Sequence, residues 1–215
     1  MTKLNWVTKA CGVLLLWTAT VAALQAQTKN AVPPAVTFTT LYSFDFSDGY
    51  EPESPIVQAA NGQLYGTTLQ GGPSELGSVF GLATAGALSF DYSFDGTDGG
   101  EPIAGLLQAT DGNLYGTTFG DTIFKVTPSG AVTTLYTFCQ QQGCLDGTAP
   151  SGGLIQGADG NLYGTTEQGG TDGDGTVFAI TLSGSLTTLH SFGGGGCTVF
   201  ARKASVRMAS SQQPA

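Results

Sequence analysis

Histidine, tryptophan and positive charge are nearly missing from this chain. His190 is the one histidine, so a Ser-His-Asp hydrolase would have only that residue to accept the nucleophile's proton. It falls in a slot held by Tyr42, Tyr92 and Tyr136 in sister segments, and a packed aromatic position accounts for it. The same shortage, with only four cysteines, excludes a zinc site. Both tryptophans, Trp6 and Trp17, lie in the first 26 residues, so Trp platforms for stacking on sugars are absent from the body. Between Gln27 and Ala201 stand all sixteen acidic residues but only two basic ones, Lys29 and Lys125. Nucleic acid demands phosphate neutralisation by Lys and Arg, which removes it as a partner and disfavours anionic membrane surfaces. Long apolar runs are lacking as well. Ala10 to Leu24 has 15 residues, where a membrane span needs about 20.

That short run reads as the core of a signal peptide over residues 1–26. Lys3 and Lys9 precede it, and small residues follow, with cleavage expected after Ala26 or Ala23. Cys11 stands at the start of the run, not its end, which argues against a lipoprotein attachment cysteine. A linker, residues 27–35, would then lead into the mature body, with no membrane span left after cleavage. Cys139 and Cys144 are separated by four residues in one loop. Metal binding is the alternative there, but no His or second Cys pair stands near, and in an oxidising compartment a disulfide is expected. Cys197 is left over. The expected address is secreted, extracellular or at the cell surface, with the periplasm as a second option.

What the chain does have is a phrase used three times. Asn61-Gly-Gln-Leu-Tyr-Gly-Thr-Thr68 returns as Asp111-Gly-Asn-Leu-Tyr-Gly-Thr-Thr118 and Asp159-Gly-Asn-Leu-Tyr-Gly-Thr-Thr166, at spacings of 50 and 48 residues. Such a period marks a repeat architecture. Each unit reads as two hairpins. The first turns at Asn61-Gly62, Asp111-Gly112 or Asp159-Gly160, where a tight turn with both central residues at positive φ is expected. The second turns near Thr84-Ala85-Gly86, Pro128-Ser129-Gly130 and Leu182-Ser183-Gly184. Four short strands per unit, rich in β-branched and aromatic residues, are the pattern of a propeller blade. No helical periodicity follows the signal segment. Tyr65, Tyr115 and Tyr163 are expected as equivalent framework residues between sheets.

The fold class is therefore all-β: a propeller-like tandem repeat over residues 36–192, with three four-stranded blades and one leading strand, Val36 to Phe44. Propellers close with about four to eight blades. An incomplete ring is expected, with open blade faces that invite self-association. Residues 193–215 match no part of the repeat and read as a disordered tail.

The phrases Gly-Thr-Val-Phe, Thr-Pro-Ser-Gly, Thr-Thr-Leu-Tyr, Asp-Gly-x-x-Pro and Asp-Gly-Asn-Leu-Tyr-Gly-Thr-Thr resemble the bacterial "GloVer" tandem repeat of choice-of-anchor proteins, over about residues 36 to 192. The resemblance implies an exported, propeller-like repeat protein without established catalytic residues, often tethered by a C-terminal anchor. Residues 193–215 hold no apolar span to serve as one.

Carboxylates remain as candidates for chemistry. Asp111 and Asp159 are turn residues, and Asp48, Asp98 and Asp146 open Asp-Gly-x-x-Pro loops where an Asx-turn explains them. Glu51 and Glu101 share an offset that Ala149 occupies in the third unit, so no catalytic pair can be chosen. Thr171-Asp-Gly-Asp-Gly175 offers calcium two carboxylates, Asp172 and Asp174, as weak ligand candidates beside the plainer reading of a solvated turn. The reading is thus a non-enzymatic binding or structural module, without catalytic or cofactor residues, whose partner is an extracellular protein or glycan. The alternative is an extracellular polysaccharide hydrolase or lyase.

Overall fold

The computed structural model describes residues 37–140 and 142–193. The expected signal peptide (1–26), the linker (27–35) and the tail beyond Gly193 lie outside them. The described residues from Leu41 onward fall in one compact unit; residues 37–40 precede it and form no helix or strand.

Twelve strands make three antiparallel sheets, each in simple sequential order. Sheet 1 holds β1 (Val57–Gln58), β2 (Leu64–Thr68), β3 (Ser78–Leu82) and β4 (Leu88–Ser93). Sheet 2 holds β5 (Leu107–Gln108), β6 (Leu114–Thr118), β7 (Thr122–Val126) and β8 (Val132–Thr137). Sheet 3 holds β9 (Ile155–Gln156), β10 (Leu162–Thr166), β11 (Thr176–Ile180) and β12 (Leu186–Ser191). There is no helix among the described residues, and so none long and apolar enough to cross a membrane. The three blade-like units expected from the repeat are present.

The turns differ from expectation in kind. Gly62 N donates to Ala59 O and Ala59 N to Gln63 O, so three residues, 60–62, lie inside the last bonded pair of the β1–β2 hairpin, Ala59 with Gln63. Only Gly62 is left-handed (φ 81°), and Asn61 is not. A type I turn followed by a left-handed glycine replaces the tight two-residue turn. The reason is local: Asn61 Oδ1 accepts Gln63 N, as Asp111 and Asp159 accept Asn113 N and Asn161 N, and this side-chain closure leaves the positive φ to glycine alone.

Glycine in Leu-Tyr-Gly-Thr-Thr has another cause. Gly66, Gly116 and Gly164 pair across the ladder with Phe80, Phe124 and Phe178, whose rings occupy the space a side chain there would need. A Cβ on Gly116 would come within 2.5 Å of the Phe124 ring.

The sheets stack in series through two apolar clusters. Tyr65, Val79 and Phe94 of the first unit meet Leu106, Leu114 and Phe124 of the second. Tyr115, Ile123 and Phe138 meet Leu154, Leu162 and Phe178 in the same way. Edge-on ring contacts repeat the joint, with Phe94 on Phe124 at 5.2 Å and Phe138 on Phe178 at 5.1 Å.

The leading strand needs correction. Residues 37–44 form no strand, because nothing among the described residues pairs with them in a ladder. Side chains keep the fourth-strand position without one. Phe44 packs edge-on against Phe80 at 4.8 Å, Tyr42 bonds Asp48, and the Leu41 carbonyl lies where a Cβ on Gly86 would fall. The Leu135 carbonyl lies against Gly184 in the same manner. Tyr163 is a second correction: Tyr65 and Tyr115 are fully buried, but Tyr163 is only half-buried because no further sheet covers it among the described residues.

Candidate functional site

Where a protein repeats, its departures from the repeat are the places to look. The largest at a blade junction is the loop after β8. Three residues separate Phe44 from Asp48 and Phe94 from Asp98, whereas seven separate Phe138 from Asp146. The extra residues carry Cys139 and Cys144, which are disulfide-bonded. Both are left-handed, at φ 57° and 45°.

The ordinary loop shows what the insertion replaces. Asp45 Oδ1 accepts Ser47 N at 2.8 Å and Asp95 Oδ1 accepts Thr97 N at 2.9 Å, so the Asx-turn belongs to Asp45 and Asp95, not to Asp48 and Asp98 as the sequence suggests. Asp48 and Asp98 reach backward instead, accepting Asp45 N and Asp95 N and the hydroxyls of Tyr42 and Tyr92. Cys139 stands in the place of Asp45 and Asp95. Its N–H still donates to the Asp146 carboxylate at 3.2 Å, and Tyr136 donates its hydroxyl there at 2.8 Å. The disulfide has taken over loop closure from the Asx-turn while the Tyr–Asp pair survives.

An open cleft of about 430 Å³ results, lined by Tyr136, Thr137, Gln140, Leu145, Asp146, Leu186 and Thr188. Strand β8 of sheet 2 forms one wall, β12 of sheet 3 the other, and the disulfide loop closes the end. Asp146 is the one charge in the lining, and Leu145 is 59% exposed. Burial and the Asp146 carboxylate push the Tyr136 hydroxyl up to about 12, so it stays protonated and donating at any physiological pH. Two apolar side chains, an aromatic ring, two hydroxyls, an amide and one fixed carboxylate can take a polar ligand that is neutral or cationic. A glycosidase pair is not assembled in this cleft, which holds a single carboxylate.

The other sequence candidates lie elsewhere. Asp172 and Asp174 are exposed on the β10–β11 loop, and no group of three or more His, Cys, Asp or Glu side chains gathers there or anywhere among the described residues. His190 keeps the aromatic slot, edge-on to Phe192 at 4.7 Å, but is exposed. Glu51, Glu101 and Ala149 share a left-handed backbone (φ 57°, 55° and 54°), and their carbonyls accept Leu69 N, Phe119 N and Glu167 N. That position is a backbone device of the repeat, since alanine serves in it as well as glutamate.

Sequence reasoning missed Asp121. It sits in the shortened β6–β7 loop, where its carboxylate accepts Thr148 Oγ1 and Ala149 N, both at 2.6 Å. At the preceding junction the Leu76 carbonyl of the full-length loop accepts Glu101 N in that role. A side chain thus replaces a deleted loop, and the coincidence of an Asp with the deletion was the available signal.

These features define a class: a tandem-repeat β protein of blade-like four-stranded units. The Gloeobacter/Verrucomicrobia repeat family model matches residues 8–210, and the chain belongs to that family. Among curated proteins none matches the chain. Similar solved structures include the extracellular domain of a protein described as a hybrid two component system from B. thetaiotaomicron, at 16% identity and TM-score 0.46, covering 67% of this chain. Another is the extracellular domain of a one component system from the same organism, at 22% identity and TM-score 0.44, covering 65%. The chain spans only 18% of each of those structures.

Proposed function

We propose that this is a non-enzymatic repeat module working outside the cytoplasm, and that it binds a neutral saccharide in the cleft between β8 and β12. The observation that carries this is the disulfide loop, the one insertion at a blade junction, which creates a concave polar-aromatic site that repeat symmetry alone would not make. The disulfide supports an oxidising compartment. The Tyr136 ring with Leu145 and Leu186 suits the C–H face of a sugar. Thr188, Gln140 and the Asp146 carboxylate suit its hydroxyls, and the carboxylate opposes anionic ligands. The test is isothermal titration calorimetry against a panel of neutral, cationic and uronic-acid oligosaccharides. Binding of a neutral glycan that is lost in Tyr136→Ala and in Leu145→Asp supports the assignment. No binding by any neutral glycan, or binding that both variants keep, rejects it.

A further inference from the structure

Cys139 and Cys144 hold the end of the cleft in a backbone shape that the sister loop after Phe44 does not share. Both are left-handed, which costs free energy for any residue but glycine. Asp45 and Asp95, in the place of Cys139, are not left-handed. Neither is Phe46, whose carbonyl accepts Gly72 N at 3.0 Å, as the Cys144 carbonyl accepts Gly170 N at 2.8 Å. The covalent bond, not local preference, therefore holds this shape. A loop so short constrains few unfolded conformations, so the fold as a whole does not depend on the bond. The pair is also within reach of a reagent: both cysteines are half-buried, and Gln140, Gln142, Gly143 and Leu145 around them are exposed. Its place in the stack adds to its effect. At the first junction Leu76, on the full β2–β3 loop, packs against the apolar cluster and lies within 3.0 Å of where a Cβ on Gly100 would fall. The shortened β6–β7 loop has no counterpart of Leu76, and Cys139 packs against the second cluster.

We propose that this disulfide is a redox-sensitive catch that sets the shape of the cleft between β8 and β12, and that a dithiol reductant releases it. One thiolate of the reductant attacks a sulfur of the pair and forms a mixed disulfide. The other protein sulfur leaves as a thiolate and takes up a proton. The second thiol of the reductant then displaces the first protein sulfur, so the reductant departs as a cyclic disulfide and the protein gains two electrons and two protons. Both cysteines then leave the left-handed region. The Cys144 carbonyl turns away from Gly147 N and Gly170 N, and Gln140 and Leu145 leave the end of the cleft. Tyr136 and Asp146 stay in place. Cys139 N donates to Asp146, and Asp45 N and Asp95 N make the same bond to Asp48 and Asp98 with no disulfide present. As a control on ligand binding the proposal rests on the saccharide reading above; as a change of loop shape it does not.

Amide hydrogen exchange followed by NMR on the full chain, before and after dithiothreitol, reads the catch without a ligand. Reduction should speed exchange at Gly147 and Gly170 about tenfold or more, leave Gly72 unchanged, and leave β6 protected. Tyr136 should still ionise at about 12 in the reduced protein. The Cys139→Ser, Cys144→Ser double variant should show the reduced pattern with or without dithiothreitol, and reoxidation should restore the original pattern in the natural chain alone. A disulfide that excess dithiothreitol does not reduce in the folded protein, unchanged exchange at both glycines, or loss of protection throughout β6 would each overturn the proposal. Calorimetry with a neutral oligosaccharide separates the two readings. Affinity about tenfold or more lower after reduction supports control of binding, and equal affinity in both forms overturns it. Faster exchange at the two glycines, with no oligosaccharide bound by the oxidised form, upholds the catch and rejects the saccharide reading.

Discussion

Tyrosine and aspartate form the recurrent polar unit of this molecule, and it comes in two settings. At the hairpin turns, Tyr115 and Tyr163 donate to Asp111 and Asp159 at 2.8 and 2.7 Å. Burial opposes ionisation of Asp111, but the hydrogen bonds from Asn113 and Tyr115 outweigh it and hold the carboxyl below its usual range. The hydrogen bond from Tyr163 lowers Asp159 in the same direction. Across the blade junctions, Tyr42 and Tyr92 are pushed up to about 12, first by the hydrogen bonds to Asp48 and Asp98 and then by burial. The two sets act at opposite ends of the pH scale. The lowered carboxyls contribute stability that is present above the ordinary value near 3.9 and is lost as pH falls through their depressed values. The raised phenols contribute stability that is present below the ordinary value near 10 and is lost as pH rises through about 12. The urea midpoint should therefore be level between these windows and fall beyond each. Ultraviolet titration at alkaline pH should show at least three tyrosines ionising late, near 12, and Tyr92→Phe should remove one of them. Fewer than three of the seven tyrosines ionising late in the folded protein would contradict the assignment.

Hairpins and loops separate two uses of glycine that look alike in sequence. Gly112 is left-handed at φ 82°, and an added Cβ would meet nothing within 4 Å. Gly112→Ala should cost only the backbone term, about 1–2 kcal/mol. Gly116 is extended, and its Cβ would strike the Phe124 ring, so Gly116→Ala should reach or exceed the top of the usual overpacking range of about 1–3 kcal/mol. Thermal melts of the two variants would decide between these causes. The disulfide is a third kind of constraint. It closes a short loop and should contribute toward the low end of about 0–5 kcal/mol, so Cys139→Ser with Cys144→Ser should remain folded. Thiol trapping and mass spectrometry on native protein should find both cysteines unreactive. The strands, the hairpins and this disulfide were legible in the sequence, because each rests on a local pattern: alternation, an Asx-Gly pair, two neighbouring cysteines. The turn type was not, since Asn61-Gly62 and its sisters fit two hairpin geometries that differ only in which residue takes positive φ. The cleft was not legible either. It exists only once β8 and β12 are placed side by side, and Leu186 and Thr188 give no sign in sequence that they face Gln140.

Seen as a stack, the molecule has a middle and two ends, and the repeat conceals how unequal these are. Sheet 2 is covered on both faces, so β6 is buried at every residue, whereas β10, with nearly the same sequence, is buried only at Leu162 and Thr166. Stability in repeat proteins is approximately a sum of unit terms and neighbour interfaces. Among the described residues sheet 2 has two such interfaces and sheet 3 has one, so equal substitutions in the two should not have equal effects. Tyr115→Ala should fall in the range of about 3–5 kcal/mol for a buried aromatic, while Tyr163→Ala should cost clearly less, because part of that ring is already in water. Amide hydrogen exchange should give the same ranking without mutation: slowest in β6 and β7, faster in β10, with sheet 3 opening before the rest of the unit. Equal protection of β6 and β10, or equal costs for the two tyrosines, would mean that the unit folds as one cooperative block and that the exposed end carries no energetic penalty.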